Sequence, residues 1–471
     1  MDKYMIYGIL LFYFVFMIGI SVAISKKIKN KTDFFVAGRK LPLWLCTATL
    51  TATWFGGGTV LGAAGAAYNR GVIGVIADPL GAALCLLLAG LFYVRTIRKM
   101  KILTIVDFFE IRFGNKPAQF AAVAQLILFI GWTGSLLISM GIIIENVAEI
   151  PQHYSMILGT VIVLIYTVLG GMWAVSITDF FQIIIVMVGL VLIVPALSQQ
   201  VGGIGAVWDS IPKDKLTLLP HNGGPRVWLE YIQAWVVIGL GGIAGQDLLQ
   251  RSMSAKNEAI AANAAYISAG LYLTIGFIPV FIGIVGAELL PNISNPEYIV
   301  PEIALAYLPP LAGAIFITAL LAAVMSSADS ALLACSSIIG NNILSQLPKV
   351  KNNILVLSRI SIPVCATVAL FVAFYFKNIY ELLLASYSIS LVSLFVPFTA
   401  GIWWPKTNNT GAIMAMLSGL ISWILFMVIL PNHPGDLYAM AVSIVGLIFG
   451  SLLTQNTDHP MPLTDLNGNS I

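Results

Sequence analysis

Apolar runs long enough to cross the roughly 30 Å hydrocarbon core of a membrane recur along the whole of this 471-residue chain. Inside such a core every backbone N–H and C=O must be satisfied within the protein, and a helix does this within its own segment. The chain therefore reads as an all-α integral membrane protein. Composition agrees, with 59% hydrophobic and 10% charged residues against about 25% charged in soluble domains. The first run, Tyr4 to Ile24, is too long for a signal-peptide core, lacks a preceding basic stretch and reads as a retained helix. Cys46, Cys85, Cys335 and Cys365 lie in apolar runs without a CxxC pair, which argues against disulfides or a zinc site. His153, His221, His433 and His459 fall in loops or the tail, away from any buried proton relay.

Thirteen spans are expected, near 4–24, 42–69, 74–94, 118–146, 154–171, 174–198, 227–250, 258–288, 311–340, 354–376, 380–404, 410–430 and 436–454. With the amino terminus outside, the inside loops hold 17 of the 24 basic residues and the outside segments 6, with Arg359 in a span. The positive-inside rule then puts the amino terminus out and the carboxy terminus in the cytoplasm, in the cell (plasma or inner) membrane. The segment TIVDFFEIRFG reads as an interfacial helix. The long outside loop, 199–226, holds an amphipathic stretch, AVWDSIPKDKL, and the polar tail is expected to lack a fixed fold.

Spans 2 and 7 are broken by glycines. The first reads TATWFGGGTVLG (Gly56, Gly57, Gly58), the second VIGLGGIAGQDL (Gly239, Gly241, Gly242, Gly245). Broken helices at matching places in two halves point to the binding site of a secondary transporter. An offset of five crossings makes the two spans antiparallel. The chain then divides into inverted five-helix repeats, 42–198 and 227–404, in the LeuT-type arrangement. One extra helix (1–30) precedes them, and two (405–454) and a tail (455–471) follow.

Ionisable residues inside spans are costly and functional by default. Asp78, Glu145, Asp179, Asp247, Asp329 and Arg359 are the candidates here. Glu145 and Arg359 lie near span ends and read as structural, whereas Asp78, before Pro79, caps a bend or lines a cavity. Span 9 carries LAAVMSSADSALLACSS, which sets Ala323, Ser326, Ser327 and Ser330 on one helix face. Hydroxyls of this kind, with carbonyls freed by the break at Ala52–Phe55, suit a dehydrated cation, although membrane serines also bond their own i−4 carbonyls.

The segments FFVAGRKLP (34–42), GGMWAVSITDFFQ (170–182), QDLLQR (246–251) and AAVMSSADSALLACSS (322–337) together resemble the sodium:solute symporters. The resemblance runs over nearly the whole chain and implies sodium (Na+) as coupling ion. It implies a sodium site made by the backbone oxygens of Ala52, Phe55 and Ala323 and the hydroxyls of Ser326 and Ser327. Thr178 and Asp179 match a second ion position of some members, where Asp179 and Asp329 alternatively take a proton or close a gate. The choline-carrier-like branch is similar in TATWFGGG and VMSSADS. Its aromatic cage would find Trp54 and Trp132 here, but Ala82 and Gly245 stand at two further cage positions. Asp247 and Asp78 lie near those gaps, which points to an amine or zwitterion; the competing reading pairs these acids with Arg251 as a gate. The substrate-contacting candidates are Trp54, Gly57, Asp78, Trp132, Gly245, Gln246 and Asp247. The partners so implied are a small organic solute, sodium and the bilayer, with no nucleic acid or obligate protein partner. A sodium-coupled importer working by alternating access is expected, and a sensor that kept the fold, a proton-coupled carrier or a channel are the alternatives. An enzyme is the least favoured class.

Overall fold

The computed structural model describes residues 3–26, 28–203, 206, 211–220, 223–347, 353–431 and 433–471. Lys27, His221, Lys349, Lys351 and residues 207–210 of the amphipathic stretch lie outside them. Among the described residues helices carry the whole architecture, with isolated bridges at Leu41–Ala255 and Thr464–Ser470 and no named strand. Among the described residues eleven helices are long and apolar enough to cross a membrane, where thirteen spans are expected. The difference falls where the backbone is irregular. Helical turns run without a gap through Gly58–Phe92, over the loop expected at 70–73, and the apolar helix Gln152–Val168 falls short of the crossing length. Gly171, at φ +51°, kinks the helical run Gln152–Gln200 where the turn between spans 5 and 6 is expected.

The long helix Pro310–Ile338 is the central post of the fold. It packs on Asn115–Ala148, on Gln152–Gln200 and on the short helix Leu43–Trp54. Small residues set how closely these helices approach in a membrane. At Gly283, in Phe277–Leu289, an added Cβ would sit 2.1 Å from the Ala64 carbonyl oxygen, whereas at Gly270 it would meet nothing within 4 Å. Gly283→Ala should therefore destabilise the protein by about 1–3 kcal/mol, and Gly270→Ala should leave it unchanged or slightly firmer. Thermal melting of the two purified variants checks this, and equal midpoints would contradict it.

Two expectations for the segments outside the spans are corrected. TIVDFFEIRFG is not an interfacial helix. Ile105–Phe113 starts with a Thr104–Asp107 capping box and buries seven of its residues in the protein. Its Arg112 donates to the carbonyls of Gly401 (2.9 Å) and Thr407 (3.0 Å). The tail is ordered: Leu466 N–H donates to the Met100 carbonyl (3.0 Å), and the Asp458 carboxylate accepts from Thr410 N–H (2.6 Å). Within the described part of the long loop, Lys213–Leu216 is a 3₁₀ turn whose Lys215 ammonium holds the carbonyls of Tyr68 (2.6 Å) and Asn69 (2.9 Å).

Candidate substrate and ion site

The first glycine break frees carbonyls. Leu43–Trp54 ends with Phe55 N–H on the Thr51 carbonyl (2.9 Å), but Gly56 N–H turns back to Trp54 (2.9 Å) instead of continuing to Ala52. The Ala52 carbonyl is taken up by span 9 instead. Ser326 Oγ donates to it at 2.8 Å and Ser327 Oγ lies 3.4 Å away; Ser327 Oγ also reaches the Thr53 carbonyl at 2.7 Å. The Ala323 carbonyl completes the group, 3.0 and 3.3 Å from the two hydroxyls. Ala52, Ala323, Ser326 and Ser327 are thus brought together, and Thr53 joins them. Phe55 sits in the break, and neither serine hydroxyl bonds its carbonyl. Close approach is what requires glycine here: a Cβ on Gly56 would lie 2.3 Å from Ser327 Oγ.

A polar layer continues from this cluster. Ser330 Oγ meets Thr53 Oγ1 at 3.0 Å, bonds the Ser326 carbonyl at 2.7 Å, and accepts from Arg251 Nη2. Arg251 is fully buried and interacts electrostatically with Asp179, Asp247 and Asp329. Among the described residues no carboxylate comes within ion-pair distance of it. Asp179 Oδ2 accepts from Thr49 Oγ1 (2.5 Å), while its Oδ1 and the Oδ2 of Asp329 have no donor. The Thr178 hydroxyl is bonded to its own helix, at Ala174 (3.0 Å) and Val175 (2.9 Å).

Beside the break lies a small cavity of about 10 Å³, lined by Trp54, Asp78, Ala82, Trp132, Tyr272 and Tyr387 with Gly56, Gly58, Ile238 and Leu383. Tyr387 stands 6.2 Å from Trp54 and 6.1 Å from Trp132, ring centre to ring centre. Asp78 Oδ2 accepts from Thr59 Oγ1 (2.8 Å), and its backbone N–H is held by the Tyr380 hydroxyl (3.2 Å). Its Oδ1 is buried without a donor. The Thr59 hydroxyl also touches the Tyr272 hydroxyl (2.9 Å), which donates to the Trp54 carbonyl.

Three of the seven substrate candidates, Trp54, Asp78 and Trp132, line this cavity; Gly57, Gly245, Gln246 and Asp247 do not. A Cβ on Gly57 would meet Ser139 Oγ, and one on Gly245 would meet Asp247 Oδ1. Gln246 is committed to structure: its amide oxygen accepts from Ile105 N–H (2.8 Å), and its amide nitrogen reaches Ser337 Oγ (3.2 Å). Asp247 is buried facing Arg251 and the Trp54 indole, with neither carboxylate oxygen hydrogen-bonded. The second break nevertheless reaches the cavity wall, because Gly242 leaves room for the Trp54 ring, 2.6 Å from where a Cβ would stand. Tyr272, Tyr387 and Thr59 are the residues that sequence reasoning missed. The two tyrosines bring further rings to the cavity, where Ala82 and Gly245 bring none.

A helix broken beside paired serines, next to a cavity walled by rings and one carboxylate, is an arrangement that suits a secondary transporter. The sodium:solute symporter family model matches residues 34–419, and the chain belongs to that family. Over 439 residues it is 30% identical to the human high affinity choline transporter 1, covering 88% of this chain and 75% of that one. It is 25% identical to a Staphylococcus aureus sodium/proline symporter over 94% of this chain and 90% of that one. A Na+-coupled sialic acid symporter in a substrate-bound outward-open state superposes with a TM-score of 0.83, at 22% identity, over 95% of this chain and 98% of that one. The fold is of the LeuT type. The protein is a multi-pass membrane transporter that couples sodium to the symport of a small solute, and it is not an enzyme.

Proposed function

We propose that the solute carries an ammonium group, as an amine or zwitterion, and enters with sodium by alternating access. The observation that carries this reading is Asp78, a buried carboxylate with one oxygen lacking a donor, in a cavity walled by four aromatic rings. An uncompensated buried charge is expensive, and a cation removes that cost. Ring faces add about 0.5–2 kcal/mol each, and an N–H donor to the free oxygen makes a charge-assisted hydrogen bond. In proteoliposomes, quaternary ammonium, primary amine and zwitterionic solutes should compete for uptake and simple anions should not. Transport of anions alone would overturn the reading.

Sodium is assigned to the oxygens of Ala52, Phe55, Ala323, Ser326 and Ser327, four of which converge as described. Asp179, with its unpartnered oxygen, is the candidate for a second cation position, since the Thr178 hydroxyl is committed to its own helix. The inverted repeats are placed at 42–198 and 227–404. Between them, spans 2, 3, 7 and 8 would rock against the rest, in a plasma or inner membrane with the amino terminus outside. The excess of basic residues in alternate loops supports that orientation.

Coupling between the two ligands runs through contacts centred on Thr59, whose hydroxyl donates to Asp78 and packs against the Tyr272 hydroxyl, which donates its own proton to the Trp54 carbonyl. The Asp78 end faces the solute. The Trp54 end lies in the same unwound turn that presents Ala52 to sodium, so each ligand favours the same arrangement of that turn. Coupling energies of about 1–3 kcal/mol, or about 5–150-fold, are typical. Thr59→Val keeps the shape and removes the link. It should reduce the sodium-induced gain in solute affinity by at least about fivefold. Solute binding measured with and without sodium checks this, and an unchanged gain would contradict it.

A further inference from the structure

A second cavity, of about 290 Å³, opens where helices Ile379–Ser390, Asn409–Ile429 and Gly435–Leu453 meet the side of Pro225–Gly239. It is separated from the aromatic cavity by one helix. Leu383 and Tyr387 line the first cavity, while Glu381, Leu384 and Ser388 on the neighbouring face line the second. Its volume falls near the lower end of small-molecule sites.

The lining is rich in acceptors and has no matching fixed cation. Asp436 is only 7% exposed, and its Oδ1 is held by the Trp423 indole N–H at 2.5 Å. Glu381, an exposed residue, lines the same space, and the amide oxygen of Gln233 is buried without a donor. Both acids stand in the first turn of their helices. Trp423 and Phe426 supply ring surface. Among the described lining residues there is no lysine or arginine, and His433 is the one basic group at the rim.

We propose that this cavity is a second binding site for an ammonium cation, held by Asp436, Glu381 and the Gln233 oxygen against Trp423. An ammonium group donates to all three acceptors or, when fully alkylated, rests on the ring while the carboxylates neutralise it. The same chemistry fits a free solute or the headgroup of a lipid. Only the identity of the free solute rests on the amine reading given above; the site itself does not.

The test is equilibrium binding of radiolabelled tetramethylammonium to the full chain in nanodiscs of phosphatidylglycerol. Two sites per chain are expected in the unmodified protein. Asp436→Asn with Glu381→Gln should leave one, and Asp78→Asn should leave the other. Thermal melting confirms folding of each variant, and Asp436→Glu should restore the lost site. Nanodiscs containing phosphatidylcholine separate the sources: displacement of the second site identifies a headgroup, and its persistence identifies a free solute. A single site abolished by Asp78→Asn and untouched by the Asp436/Glu381 pair would overturn the proposal. Loss of binding with the Asp436/Glu381 pair but not with Asp78→Asn would instead overturn the first cavity's assignment and leave this one standing.

Discussion

Replacing both Ser326 and Ser327 by alanine should raise the sodium concentration for half-maximal uptake by at least about tenfold. A hydrogen bond or ligand contact to a charged group contributes about 1.5–3 kcal/mol, and each 1.4 kcal/mol is tenfold. The hydroxyls are the only side-chain oxygens in the proposed sodium set, the other three members being main-chain carbonyls. Those carbonyls survive the substitution, so residual low-affinity activation should remain rather than none. The single variants should differ. Ser327 Oγ touches Ala52, Thr53 and Ala323, and Ser326 Oγ touches Ala52 and Ala323, so Ser327→Ala should cost more. Uptake titrated with sodium at fixed ionic strength measures this. An unchanged sodium dependence in the double variant would remove the site.

Asp78→Asn should weaken the apparent affinity for an ammonium-bearing solute by at least about thirtyfold. Removing one partner of a buried charge pair costs about 2–5 kcal/mol, and the lower figure already corresponds to that factor. The asparagine oxygen can still accept from Thr59, so the bend at Asp78–Pro79 and the contact with Tyr380 should persist. Sodium activation of whatever uptake remains should therefore shift far less than solute affinity. That split separates a lost recognition charge from a damaged fold, which would depress both. Uptake kinetics with quaternary and primary ammonium solutes provide the check, and an unaltered half-saturation would contradict it.

Much of this arrangement was legible before any coordinates. The apolar runs marked the helices, and the serine spacing in span 9 placed Ala323, Ser326 and Ser327 on one face. The glycine run marked where Ala52 would lose its helical partner. The second break was harder to read, for a physical reason. Each residue in a helix turns the side chain by about 100°, and the turn at Gly241–Ala244 resets that phase. Gln246 and Asp247 follow the reset, so their directions could not be inferred from the helix before it, and they face the helix Ile105–Phe113 and Arg251 instead of the cavity. Tyr272 and Tyr387 were missed because an aromatic ring in a membrane span carries no mark distinguishing a cavity wall from lipid-facing or core packing. They meet Thr59 and Trp54 across more than two hundred residues of chain. The segment at Ile105–Phe113 misled in the opposite way, since an amphipathic helix at a surface and one packed under a loop share a composition. Asp107, which caps the helix and bonds Asn341 (2.8 Å) and Asn342 (2.6 Å), was the residue that told them apart.

The most direct test of the central claim, that sodium held between the first break and span 9 moves with an ammonium-bearing solute, is the entry of radiolabelled sodium into proteoliposomes. Adding ammonium or zwitterionic solutes outside should accelerate sodium entry, anions should have no effect, and the Ser326→Ala/Ser327→Ala protein should lose the acceleration. Solute entry that proceeds equally well with sodium replaced by potassium, or sodium entry stimulated by anions alone, would contradict it.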